Sequence, residues 1–239
     1  MGGAAVTLPL VLLPAMMCDG RLWRAQAGAL WHERAVMIAP THLGASVGEV
    51  AAQVLDAAPR RFALAGLGLG AVVAMEVLRR APERIAGLAL LAADALSEPP
   101  QVAAGREEGI VAAKAGRLLD VVRAMPGCAA LGSGPLRNEA RALVERMAQD
   151  LGPEVFVRQS RLMQRRPEQQ RALSQLKVPA LILAGAQDTA LPVKRHEFLA
   201  ELIGTAELRV IEGAGHVAPL EAPDEVTGAF RDWLARLSR

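Results

Sequence analysis

Between an apolar run that starts at Arg61 and a helical pattern that opens at Leu69, the chain reads Gly66-Leu67-Gly68-Leu69-Gly70. The outer two glycines, Gly66 and Gly70, mark a reversal so sharp that side chains there would collide with the neighbouring strand and helix, joining a strand directly to a helix. The flanking segments repeat the theme. Leu8–Leu13 is a continuous apolar run closed by Pro14, the pattern of a strand buried on both faces. Arg34–Ile38 gives a weaker strand closed by Pro40, and Ser46, three residues before Glu49, has the capping-box spacing for a helix running towards Ala58. Strand (Arg61–Gly66), helix (Leu69–Arg80) and strand (Ile85–Ala92) follow. This alternation predicts a parallel sheet with right-handed crossovers.

The alternation stops after Ala92. From 97 to 176 only helical patterns are legible, near Val102–Met125, Leu136–Leu151, Pro153–Gln164 and Pro167–Leu176, punctuated by Pro99, Pro100, Pro126, Gly127, Gly132 and Gly134. It then resumes with a strand at Pro179–Gly185, a helix at Pro192–Ile203, a strand at Glu207–Ile211 and an amphipathic helix at Pro223–Leu237, with Val226, Phe230 and Leu234 on one stripe. The expected organisation is one α/β domain: a core formed by 1–96 and 177–239, and a helical insertion at 97–176.

Composition excludes several functions. A hydrophobic content of 52% in 239 residues rules out a disordered chain and supplies a substantial core. The net charge is +2, lysine occurs only at 114, 177 and 194, aromatics are 3% and tyrosine is absent, so no basic, base-stacking surface for nucleic acid is expected. The N-terminus, Met1-Gly2-Gly3-Ala4-Ala5, lacks a charged leader before the apolar run, and the runs at 8–17 and 62–75 are too short to span a bilayer. No membrane association and a cytoplasmic location are therefore expected. Cys18 and Cys128 form no metal-binding or redox pattern and read as reduced thiols. No cofactor or metal motif is found.

Two further segments follow strands: Gly185-Ala186-Gln187-Asp188, and Glu212-Gly213-Ala214-Gly215-His216. With the glycine turn, they place three groups beyond the carboxyl ends of parallel strands, where open α/β sheets build sites. Asp188 would accept a hydrogen bond from one ring nitrogen of His216, fixing the tautomer and leaving the other nitrogen as a base. A phosphate-binding reading of the glycine turn fits less well, because the sixth position is Ala71 and no acidic ribose ligand follows, Asp94 being the nearest.

Order and context resemble the α/β-hydrolase superfamily over nearly the whole chain. The Gly66–Gly70 turn resembles the nucleophile elbow G-x-S-x-G, and the chain order of elbow, Asp and His is the family's. Leu12-Leu13-Pro14-Ala15-Met16-Met17-Cys18-Asp19-Gly20-Arg21-Leu22-Trp23 is similar to the opening of small bacterial members, as is Gly215-His216 followed by Pro219-Leu220-Glu221 and Pro223. The resemblance implies ester, thioester or lactone chemistry on a small-molecule substrate, a lid formed by the helical insertion, and oxyanion donors at the backbone N–H groups of Met16 and Leu69. Two departures stand out: Ala15 replaces the family's glycine in the oxyanion loop, and Gly68 replaces the nucleophilic serine.

Loss of the nucleophile of a triad costs about 10⁶-fold in rate, about 8 kcal/mol of barrier, so no acyl-enzyme is expected at position 68. Three readings follow. The chain is a disabled serine hydrolase, a general-base enzyme in which His216–Asp188 acts on water or a carbon acid, or a binding protein.

Secondary candidates are ranked by context. Ala15, Met17, Met125 and Met163 are expected to line the substrate pocket with Met16, although methionines such as Met147 serve core packing equally well. Cys18 reads as packing, since it is off the elbow, and Asp94 is a second candidate acid. His42 reads as a turn residue near the pocket mouth, and His32 and His196, beside polar residues, as solvated.

Overall fold

The computed structural model describes residues 7–237, so the N-terminal stretch searched for a leader lies outside the described residues. Six strands form one parallel sheet: β1 (Leu10–Leu13), β2 (Val36–Ile38), β3 (Phe62–Leu67), β4 (Ile85–Leu91), β5 (Ala180–Gly185) and β6 (Ala206–Ile211), in the order β2-β1-β3-β4-β5-β6. Helices α1 (Arg24–Leu30), α2 (Val47–Ala57) and α3 (Leu69–Arg80) belong to the first half of the chain. Helices α4 (Pro100–Lys114), α5 (Leu118–Ala124), α6 (Pro126–Ala129), α7 (Arg137–Gln164) and α8 (Gln170–Ser174) lie between β4 and β5. Helices α9 (Val193–Leu202), α10 (Ala218–Glu221) and α11 (Pro223–Arg236) complete the fold.

The pleat explains the continuous apolar runs. Leu10 and Leu12 face one side with Ala63, Ala65 and Leu67, covered by Trp23, by α1 through Leu30 and by α11 through Phe230 and Trp233. Val11 and Leu13 face the other with Phe62 and Leu64, covered by α2, α3 and α9. β1, β3, β4 and β5 are thus buried on both faces. The chain passes from β1 outward to β2, then back to β3 on the other side of β1. The loops leaving β1 and β3 therefore flank the point where strand order reverses, the natural crevice of an open α/β sheet.

Most expected elements are present, with small shifts of boundary. Ser46 caps α2 by accepting the Glu49 N–H, while the Glu49 carboxylate reaches back to Ala45 rather than Ser46. The single helix expected over Val102–Met125 is two. Gly116 adopts φ 82°, and the N–H groups of Gly116 and Arg117 bond back to Ala113 and Ala112, which ends α4 in a Schellman motif. The expected break between Leu151 and Pro153 falls at Gly152, whose φ of 78° interrupts α7. The short α6 and α10 were not anticipated. His196 is also corrected: it is fully buried, not solvated, because it shares the inner stripe of α9 with Leu199 and Ile203 while Arg195 and Glu197 face outward.

Candidate active site

The turn after β3 shows why its glycines stand where they do. A Cβ on Gly66 would collide with the Gly70 carbonyl, and one on Gly70 with the Leu13 carbonyl of the neighbouring strand. Gly68 between them has φ 55° and ψ −113°, a conformation that L side chains rarely adopt. Its N–H is tied to Leu91 O and its carbonyl accepts from Val72 at the start of α3. A Cβ built on Gly68 meets only Ala15 Cβ at 3.6 Å and His216 Nε2 at 3.9 Å. The position has room for a side chain, and that side chain would point at the imidazole.

His216 reaches the same place from the loop after β6. Its Nδ1 lies 2.8 Å from Asp188 Oδ2. The other Asp188 oxygen accepts the Ala190 and Leu191 N–H groups at 2.9 and 3.0 Å. Burial alone would raise the Asp188 pKa, but the His216 hydrogen bond and charge and the two backbone donors outweigh it and hold the carboxyl below its ordinary range. Asp188 is therefore an acceptor only, Nδ1 carries the proton, and Nε2 is left as a base facing Gly68. Asp94, the alternative acid, spends a carboxylate oxygen on the Leu96 N–H.

Gly68 and His216 line a cavity of about 320 Å³, and so do Ala15, Met16, Met125 and Met163. Leu69 lines it too, at the first position of α3, where an N–H has no acceptor within its own helix. Met17 departs from expectation. It is fully buried in the core and lies away from the cavity wall, because its φ of 56° turns the chain inward. Its N–H is taken at 2.8 Å by Oε1 of Gln159, a buried residue of α7. Met16, one residue earlier, stays at the wall. Cys18 also touches the cavity, but burial raises its thiol pKa far above the ordinary value, so it is protonated and not a nucleophile. Met147 is buried in the core. His42 is half-buried in its turn, where Arg158 Nε bonds its carbonyl. Among the described residues, no group of three or more His, Cys, Asp or Glu could hold a metal ion.

Three residues organise the site in roles that the sequence did not make legible. Gln159 holds the β1 loop from 142 positions away. Glu221 stood in a matching motif, but the motif did not show what it binds. It accepts the N–H groups of Gly132, Gly215 and Val217 and so pins both neighbours of His216. Arg106 approaches Met16 from α4.

A parallel α/β sheet with a glycine elbow, an acid and an imidazole at its carboxyl edge defines a hydrolase-type scaffold. The chain belongs to the alpha/beta hydrolase family, whose sequence profile matches residues 10–229. It is similar to the pimeloyl-[acyl-carrier protein] methyl ester esterase of Vibrio parahaemolyticus serotype O3:K6, 23% identical over 94% of this chain and 93% of the relative. It is also similar to the biotin biosynthesis bifunctional protein BioHC of Cellvibrio japonicus, 25% identical over 96% of this chain, which spans 48% of that longer protein. Its fold is shared with a solved thermophilic esterase from Thermogutta terrifontis, at a TM-score of 0.87 and 24% identity, covering 99% of this chain and 92% of the other. Among the described residues, no helix is long and apolar enough to cross a membrane.

Proposed function

We propose that this protein takes a small carboxylic ester or lactone into the cavity and, without a hydroxyl at position 68, acts on it by general-base chemistry rather than through an acyl-enzyme. The observation that carries this reading is the intact dyad. His216 Nε2 stands 3.9 Å from where a Cβ of residue 68 would be, with Nδ1 tied to Asp188. The family's esterase relatives support the substrate class.

The geometry supports the following reaction. Nε2 takes a proton from a water in the space beside Gly68, and the resulting hydroxide oxygen bonds to the substrate carbonyl carbon. The carbonyl π pair moves onto oxygen, and the Met16 and Leu69 N–H groups stabilise that oxyanion. Collapse of the adduct breaks the carbonyl–alkoxy bond, and the leaving alkoxide receives the proton from Nε2. Asp188 stays ionised throughout and stabilises the imidazolium. Val102 and Arg106 of α4, Met125 with Pro126 and Gly127 of α6, and Met163 of α7 line the cavity and act as its lid.

The deciding experiment is a panel of short p-nitrophenyl esters and lactones offered to this chain, to Gly68→Ser and to His216→Ala. Slow turnover by the chain, lost in His216→Ala and greatly raised in Gly68→Ser, is the expected pattern. A Gly68→Ser protein that folds but hydrolyses nothing in the panel overturns the assignment.

A further inference from the structure

One cavity wall carries a buried charged triad that the reaction above does not use. Glu98, whose side chain is 1% exposed, accepts from Arg106 Nε and Nη2 at 2.5 and 2.8 Å and from Arg166 Nη1 at 2.6 Å. Both arginines line the cavity, with side chains 22% and 9% exposed. Burial pushes the Glu98 carboxyl up in pKa, but Arg106 and Arg166 outweigh it and keep the group ionised. One carboxylate therefore faces two permanent cations, and the wall holds an excess positive charge.

The spare donors show where that charge points. Arg166 Nε is taken by Leu96 O. Arg106 Nη1, by contrast, has the Met16 thioether sulfur as its partner, at 3.6 Å. Thioether sulfur is a weak acceptor, so a guanidinium nitrogen remains poorly satisfied beside the residue assigned as an oxyanion donor. Other charges around the cavity do not cancel the excess. Asp94 is engaged by the Leu96 N–H and its charge is offset in number by Arg195, which also lines the cavity, while Asp188 is turned to His216.

Resting on the ester-site reading, we propose that the substrate carries a carboxylate a few carbon atoms from its ester carbonyl, received by Arg106 with Arg166 behind it. One surplus cation matches one carboxylate, whereas a phosphate monoester would bring nearly twice the charge. A planar guanidinium nitrogen also suits carboxylate geometry.

The test is calorimetric titration of the full chain with the monomethyl esters of succinic, glutaric and adipic acids, each against its neutral dimethyl ester. The best half-ester is expected to bind at least about tenfold more tightly than its diester, as a charge-assisted hydrogen bond provides. The preference should shrink as salt is added. Arg106→Gln, which leaves Glu98 paired with Arg166, should erase the preference, and Arg106→Lys should keep part of it; melting curves establish that both variants fold. A diester bound as tightly as its half-ester, or a preference that survives in folded Arg106→Gln, overturns the proposal. If neither ester class binds, the ester-site reading falls as well, whereas binding without preference removes only the carboxylate.

Discussion

Glu221 Oε2 accepts the backbone N–H of Gly132, 89 residues earlier in the chain, at 2.6 Å. The same carboxylate takes the N–H groups of Gly215 and Val217, each at 3.0 Å, so both neighbours of His216 hang from one buried side chain. His216 N–H completes the arrangement by donating to Ala130 O at 2.8 Å. The imidazole is thereby registered against the segment that leads from α6 into α7.

Glu221→Leu removes the acceptor and leaves three buried N–H groups unsatisfied. It is expected to cost about 3 kcal/mol or more, since each orphaned group costs about 1–3 kcal/mol. Denaturant unfolding measures the loss. Glu221→Gln, which keeps one carbonyl acceptor, should fold; in the serine-restored protein it should lower kcat more than it raises KM, because the base is displaced while the cavity is unchanged.

Gly68→Ser places a β-carbon on a backbone with φ 55° and ψ −113°. The strain is on the order of 1 kcal/mol, and a lowering of Tm by a few degrees is expected for a chain of this size. The same variant should gain ester hydrolysis, because its hydroxyl is within reach of Nε2. Calorimetric melting and a p-nitrophenyl acetate assay read both effects. A serine variant more stable than the parent contradicts the strained-elbow geometry.

Asp188→Asn in the serine-restored protein should leave the fold in place but reverse the tautomer preference of His216. The comparable change in a triad enzyme lowers kcat by about 10⁴-fold. Steady-state kinetics at neutral pH measures it. A loss of only a few-fold would show that the imidazole is oriented by something other than Asp188.

Glu76 lies buried on α3 and accepts from Arg79, Arg80 and Gln169. Burial raises its pKa, but the Arg79, Arg80 and Gln169 hydrogen bonds prevail and lower it from 4.5 to about 2. A depressed carboxylate contributes stability above its unfolded value, and that contribution is lost as pH falls from 4.5 towards 2. Glu76→Gln should therefore be less stable than the parent at pH 7, and the gap should narrow towards pH 2.5. Urea denaturation at the two pH values tests the sign.

Fold and dyad were legible because their signals are local. Leu69–Arg80 was readable as a helix from its glycine start and its stop near Pro82, and α3 has those ends. Buried strands such as β3 and β4 announce themselves as unbroken apolar runs. Asp188 follows β5, another such strand, and His216 follows the partly exposed β6 parallel to it, so topology alone brings them to one edge. The split at Gly116 was less visible, because a glycine inside an alanine-rich pattern is compatible with a continuous helix until its φ is known. His196 misled because its immediate neighbours are polar while its helical neighbours, Leu199 and Ile203, are apolar.

By itself the sequence determined the alternation of strands and helices, the glycine turn between β3 and α3, and the strand-end positions of the acid and the imidazole. Each of these follows from periodicity, turn sterics and chain order, all of which act over a few residues. The tertiary structure alone decided that Met16 and not Met17 stays at the cavity wall, that Gln159 and Glu221 hold the loops, and that Arg106 and Arg166 share Glu98. Those contacts join residues 68 to 142 positions apart in the cases of Glu98–Arg166, Glu221–Gly132, Arg106–Met16 and Gln159–Met17. Hydrogen bonds and ion pairs depend on distances of a few ångströms, and separations along the chain carry no record of them until packing brings the partners together.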